Sequence, residues 1–438
     1  MRAFTKMALI ATAGVLLCPL SGCARKEPKE ITLTIKVPQL TMTAAHLDSD
    51  ITSAAEVLQK AGNDFASQYS DAKVKIQIIQ YAAVDEQTEI EDCFDTNDQA
   101  DVLYNDYFSM ETHVYSGRVV PLDDIITKEI WDDIGETFWQ QSRRNGKIYM
   151  MPYLYRQNVL AYNKDLFREA GLERFFSDTD EIQSWTMQEW ETILATLRES
   201  MPDTSYPLMM YAKNNQGDTH MMCYIRSQGS SFFDAQGAFD LETEEGVAGL
   251  AWIRECVEKG YAPKNAAYME LLDFFDLWTS GQLAFFVANL GNMYTFKCDY
   301  GLVNFPTVNG GCNTNFLTGF EVFDNGDADR LAAAKAFVQY MYESDYLDYS
   351  STCIPCSNKI FAKYAEVLAP VKKFIANAEK GVNFTGGNPE WGEVRKIFYL
   401  HMQDLLSGDK SAEQVALELD ADANAVIAEA QKKSTLHE

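Results

Sequence analysis

Ile31-Thr-Leu-Thr-Ile-Lys-Val37 places Ile31, Leu33, Ile35 and Val37 on one face and Thr32, Thr34 and Lys36 on the other. That two-residue period predicts a β-strand. Further on, Ala54, Leu58, Ala61 and Phe65 recur at helical spacing, which predicts an amphipathic helix. Val74, Ile76 and Ile78 alternate again, and residues 101–104 (DVLY) read as a third strand. Strand, helix, strand, helix, strand at this spacing predicts βαβ units and a mostly parallel sheet. Ligands of such sheets bind in the loops beyond the C-terminal strand ends. Residues 38–45 and Asn105-Asp106-Tyr107 therefore belong to the functional rim.

Past about residue 160 the pattern becomes helix-rich. Thr186-Met-Gln-Glu189 is a capping box, ahead of an apolar stripe of Trp190, Ile193, Leu194 and Leu197. A second helix ends near Lys259 with Gly260 as its stop. Residues 283–288 (LAFFVA) and 300–305 predict buried strands, residues 329–343 an Ala-rich helix, and Ser411-Ala-Glu-Gln414 the start of a terminal helix. No internal repeat and no low-complexity linker separates the two regions, which predicts lobes interwoven by several chain crossings.

Charge and the N-terminus narrow the function classes. The 438 residues hold 64 Asp and Glu against 37 Lys and Arg, a formal net charge of −27. Nucleic-acid affinity comes from neutralising phosphates with cations, so this balance excludes nucleic acid as a partner. At the start, Arg2 and Lys6 precede an uncharged run over residues 7–17, the layout of a secretory signal peptide. Leu20-Ser21-Gly22-Cys23 resembles the lipobox of bacterial lipoproteins. The resemblance implies that residues 1–22 are a signal peptide cleaved before Cys23, that the Cys23 thiol is lipidated, and that residues 23–30 form a solvated tether. The mature protein is expected on the extracytoplasmic face of a bacterial membrane, attached through acyl chains alone.

Seven cysteines remain after Cys23, an odd number that leaves at least one thiol outside any intramolecular disulfide. Cys353-Ile-Pro-Cys356 has the spacing of a redox or metal half-site, but no second CxxC or histidine pair accompanies it. A structural disulfide or two buried thiols is the expected state. The five histidines are scattered. In residues 324–329 the Gly stands third rather than sixth, against calcium-loop geometry. There is no GxSxG elbow and no phosphate-cradling Gly-rich loop with Lys. The sequence therefore predicts no enzyme, no metal and no cofactor.

Gly146-Lys-Ile-Tyr-Met-Met-Pro-Tyr153, followed by Val159-Leu-Ala-Tyr-Asn-Lys-Asp-Leu-Phe-Arg-Glu-Ala-Gly-Leu172, resembles the signature of family 1 extracellular solute-binding proteins. These are the sugar receptors of bacterial ABC importers. Residues 100–104, 117–124, 277–281, 319–323 and 405–411 fit the same pattern in order, so the resemblance spans nearly the whole mature chain. It implies an α/β, two-lobe periplasmic-binding-protein-like fold of type II, with the ligand cleft between lobes joined by a multi-crossing hinge. Lobe one would be residues 31–149 with 314–357, and lobe two residues 150–313 with 358–434. The implied partners are a small carbohydrate and the permease subunits of an ABC transporter, with the receptor itself a monomer.

A sugar presents apolar C–H faces to aromatic rings and hydroxyls to Asp, Asn, Glu and Arg. The candidate ligand-binding residues are Asn105, Asp106 and Tyr107 after the DVLY strand, and Tyr153, Tyr155 and Arg156 after the first crossing. Asn289 and Asn292 follow LAFFVA, where many relatives carry a Trp, and Glu321 sits in the GFEVF strand. Trp391 opens a helix behind a Gly/Pro loop, a place where the resemblance implies an aromatic stacked on sugar. Two other functions stay open: the same fold with a peptide, polyamine or ferric complex as ligand, and a surface glycoside hydrolase.

Overall fold

A computed structural model describes residues 29–434 apart from Thr43, Ser49, residues 83–85 and Asn383. The expected signal peptide, Cys23 and most of the tether lie outside the described residues.

The first region folds as its periodicity dictates. Strand β1 (Glu30–Pro38) buries Ile31, Leu33, Ile35 and Val37. Helix α1 (Ala54–Gln68) opens with a Ser53–Glu56 capping box and buries Val57, Leu58, Ala61 and Phe65. β1 runs parallel to β2 (Lys73–Tyr81) on one side and to β3 (Val102–Asp106) on the other. A short helix, α2 (Met110–Tyr115), follows β3. Lys36 departs from the alternation. It is buried on the face opposite the apolar set, and its ammonium lies 3.6 Å from the Glu89 carboxylate.

The longer elements that matter for the site are β4 (Met151–Asn163), α3 (Met187–Ser200), α4 (Glu244–Glu258), β5 (Phe285–Ala288), β6 (Tyr300–Val303), β7 (Asn313–Val322), α5 (Ala328–Glu343), α6 (Trp391–Ser407) and α7 (Ala412–Ser434). α3 has the expected Thr186–Glu189 capping box over a buried Trp190, Ile193, Leu194 and Leu197 stripe. α4 stops before Gly260, whose φ of +73° an L side chain rarely adopts.

The sheet is mixed, not mostly parallel as expected. β3 pairs antiparallel with β7, β7 with β4, and β4 with both β5 and β6. β4 carries the chain out of the first region and β7 carries it back beside β4, so the two must run in opposite directions. β4 pairs with β7 over Met151 to Asn158, then with β5 and β6 over Val159 to Asn163. β4 thus links β7 to β5 and β6, while β7 pairs with β3 and, at Asn313 and Thr314, with residues 381–382. The first half is built on β1–β3 and the second on β5 and β6.

Residues after Cys356 touch both halves in turn. Lys359 N–H donates to Asp133 at 2.7 Å, and the Tyr364 ring sits 4.6 Å from that of His46, so residues 358–364 stay on the first half. Lys373 reaches Asp180 at 2.7 Å, and Asn377 Nδ2 donates to Asn304 at 2.8 Å, so the next helix packs on the second. Ser357 caps the helix after Cys356, and its hydroxyl donates to Asp133.

Cys353 and Cys356 are buried thiols. Between them Ile354-Pro355 forms a strand against β4. Extended backbone advances about 3.3 Å per residue, which holds the two Cα atoms ~10 Å apart, beyond disulfide reach. The Cys353 thiol instead donates to the Tyr155 carbonyl at 3.2 Å.

Asp101 ties the first half together. One carboxylate oxygen accepts from Thr34 N–H and from Arg330, each at 2.7 Å, while the other accepts from Asn325 at 2.7 Å. The residue is 1% exposed. Asp101→Ala leaves the Thr34 N–H unpaired and a half-buried Arg330 guanidinium without its partner, and should cost about 1–3 kcal/mol, read as a lower urea midpoint with an unchanged denaturant slope.

Candidate functional site

The end of β3 begins the site. Asn105 Nδ2 donates to Glu86 Oε1 at 2.7 Å, and the Ser109 hydroxyl donates to the same oxygen. Asp106 accepts from Arg156 of β4 at 3.1 Å and from the Thr318 hydroxyl of β7, locking the β3 end to both shared strands. Phe108 then projects against Phe316 and Phe384, with ring centroids 5.0 and 5.1 Å away.

From the second half, α6 brings Trp391 and Arg395. They stand one helical turn apart, the spacing that puts two side chains on one face. Arg395 lies 5.7 Å over the Phe108 ring, donates to the buried Asp218 carboxylate, and reaches the Asn215 carbonyl at 3.3 Å. Glu390, just before the helix, has a left-handed φ of +57°. A non-glycine residue there costs on the order of 1–2 kcal/mol. Its N–H donates to Thr112 of α2 at 2.9 Å, a hydrogen bond between the halves.

These groups enclose a cavity of about 100 Å³. Glu86, Glu91, Phe108 and Ser109 line it from the first half, and Asn215, Glu390, Trp391 and Arg395 from the second. A larger space of about 570 Å³ lies along Tyr107, Gln140, Gln141, Arg144, Asn315 and Thr385.

Burial shapes the electrostatics. It raises Glu91 to about 7 against the opposing pull of His113, with Glu390 and Glu86 adding to the rise. It also lifts Glu86, despite the Ser109 and Asn105 hydrogen bonds that favour its anion. Burial alone would depress His113, but the Glu321 charge and hydrogen bond outweigh it and hold the imidazole above its ordinary value.

The structure brings some of the expected residues to these spaces and leaves others in the interior. Trp391 lines the smaller cavity, although it is 2% exposed and packed against Phe384, Phe233 and Phe239. Tyr107 lines the larger space. Asn105 orients Glu86, and Asp106 and Arg156 bond each other. Tyr153 is enclosed by Tyr104, Phe320 and Tyr342. Tyr155 packs on Phe138 and accepts from Gln157 at 3.1 Å. Both are 1% exposed because β4 is covered on both faces where it crosses. Glu321 is fully buried and bonds His113 at 2.7 Å. Asn289 and Asn292 close a turn after β5, Asn292 Oδ1 accepting from Asn289 N–H at 2.9 Å.

Glu86, Glu91, Phe108, Ser109, Asn215, Glu390 and Arg395 were not anticipated. The acidic run Glu86 to Asp92 following β2, and Arg395 one turn beyond Trp391, were the available signals.

Comparison with known proteins gives this arrangement its class. At least 90% of the chain superposes on two-lobe binding proteins with the α/β architecture described above. The sugar-binding protein MalE of Xanthomonas citri matches with a TM-score of 0.70 at 16% identity, over 91% of this chain and 98% of its own. An ABC substrate-binding protein of Listeria monocytogenes, solved with cycloalternan, gives 0.69 at 16%, over 91% and 99%. A solute-binding protein of Thermotoga lettingae, bound to α-D-tagatose, gives 0.69 at 14%, over 90% and 99%. Residues 48–347 match the model of the bacterial extracellular solute-binding protein family. The chain belongs to that family, whose members bind solutes rather than transform them. Among the described residues no helix is long and apolar enough to cross a membrane.

A carboxyl raised by burial contributes stability below its unfolded pKa that is lost as pH climbs through the folded value. For Glu91 that window runs from about 4.5 to about 7. Glu91→Gln should therefore melt at a higher temperature than the parent at pH 8, with the gap closing at pH 4, as differential scanning calorimetry will show.

Proposed function

We propose that this protein captures a sugar or oligosaccharide outside the cell and delivers it to an ABC import permease. One observation carries the reading: the cavity between the halves has an aromatic ring from each, Phe108 and Trp391, set among carboxylates and a guanidinium. Rings bury the C–H face of a pyranose while charged and amide groups hydrogen-bond its rim. The cycloalternan and tagatose bound by the Listeria and Thermotoga proteins support it.

In this reading lobe one comprises residues 31–149 with 314 to about 364, and lobe two the rest of the mature chain. β4, β7 and the connection between Tyr364 and Lys372 form the hinge. A ligand touching both lobes favours the closed state by its extra contacts there. The lipobox-like Leu20-Ser21-Gly22-Cys23 would moor the receptor beside its permease, since two or more acyl chains anchor stably where one does not. Palmitate labelling in cells should vanish in Cys23→Ser, and labelling that persists would remove the anchor.

The ligand class is tested by thermal shift against a glycan panel. A ligand at 100 times its Kd stabilises by about 2.7 kcal/mol, a clear upward shift in Tm. Glu390→Ala should weaken the best hit about tenfold or more in calorimetry, while the melt without sugar stays cooperative. Turnover of an oligosaccharide, or a panel with no hit, contradicts the proposal.

A further inference from the structure

We propose that the cavity between the halves receives an ammonium group, so that the preferred ligand is an amino sugar or an oligosaccharide containing one. This rests on the sugar-receptor reading above and names its substrate class.

The argument begins with charge. Four carboxylates line the cavity, those of Glu86, Glu91, Glu390 and Glu393, against two cations. Both cations are committed: Arg395 to the buried Asp218, and Lys396 to Glu393 at 2.6 Å. Glu86, Glu91 and Glu390 are left with no Lys or Arg ion-pair partner among the described residues. The imidazole of His113 lies behind them, but Glu321 occupies its Nδ1 at 2.7 Å. Three carboxylates converging on a partly dehydrated space, with only the shared His113 imidazole behind Glu86 and Glu91, recover little of their desolvation cost. A guest bearing a positive charge supplies the Coulombic return.

The shape of the guest follows from the other groups. Among the described residues no set of three or more His, Cys, Asp or Glu is arranged to hold a metal ion, so the site does not suit a bare divalent cation. Phe108 and Trp391 give it aromatic walls, which attract an ammonium over their faces and pack against a ring's C–H surface. The indole Nε1 of Trp391 is buried and has no acceptor among the described residues. An unpaired buried donor costs free energy, and an oxygen on the guest would satisfy it. Ammonium, C–H face and acceptor oxygen on one small molecule describe an amino sugar.

Titration calorimetry of the full chain tests this with matched probes: glucosamine and galactosamine, their N-acetyl forms, the neutral parent hexoses, and the 1,4-linked dimers of each. At least one amine should bind tenfold or more tightly than both its acetylated and its hydroxyl counterparts. Glu86→Gln and Glu390→Gln, checked for cooperative melting, should each shrink that preference to threefold or less. Equal binding of amine and neutral probes, or neutral binding alone, overturns the ammonium site and leaves the sugar receptor standing. Binding of spermidine with no sugar bound keeps the cationic cavity and removes the sugar reading. No binding by any probe removes both.

Discussion

Two strands shared by both halves govern the molecule. β4 and β7 lie side by side through the middle of the sheet; β4 passes from β7 to β5 and β6 along its length, and β7 from residues 381–382 to β3. Thirteen residues of β4 at ~3.3 Å apiece span about 40 Å, enough to serve both sheets without a linker. Because the same backbone belongs to each half, relative motion is confined to bending of these strands and of the later connection. That constraint places the ends of β3 and α6 opposite each other, and so fixes where a ligand can be gripped.

Much of the fold was legible because periodicity and caps are local. Ile31 to Val37, the α1 stripe and the Thr186 capping box each report on neighbours within a turn or a pleat, and all reappear in the structure. Sheet direction was not legible. The antiparallel pairing of β3 with β7 joins residues more than two hundred positions apart, and nothing in either strand's alternation states its partner. The contact of residues 357–359 with Asp133 was not legible for a similar reason, since it is long-range.

The candidate site was legible only in outline. Loop position singled out Asn105 to Tyr107, and a Trp behind a Gly/Pro loop singled out Trp391. An aromatic at a crossing can pack as well as bind, and its neighbours separate the two: Tyr153 sits among Tyr104, Phe320 and Tyr342 and Tyr155 on Phe138, whereas Trp391 lines the cavity. Glu321 looked like a rim carboxylate, yet it pairs with His113 inside the first half. Glu86 and Glu390 escaped notice because a chain with 64 acidic residues gives no single one prominence. Only the arrangement in space, where Arg395 and Lys396 are already paired, shows which carboxylates lack counterions.

The proposed function turns on the two halves closing over a guest. Small-angle X-ray scattering of the protein, alone and saturated with the best ligand from the glycan screen, examines that closure directly. The account predicts a smaller radius of gyration with ligand and a scattering profile distinct from that of the free protein. Identical profiles with and without bound ligand would contradict it.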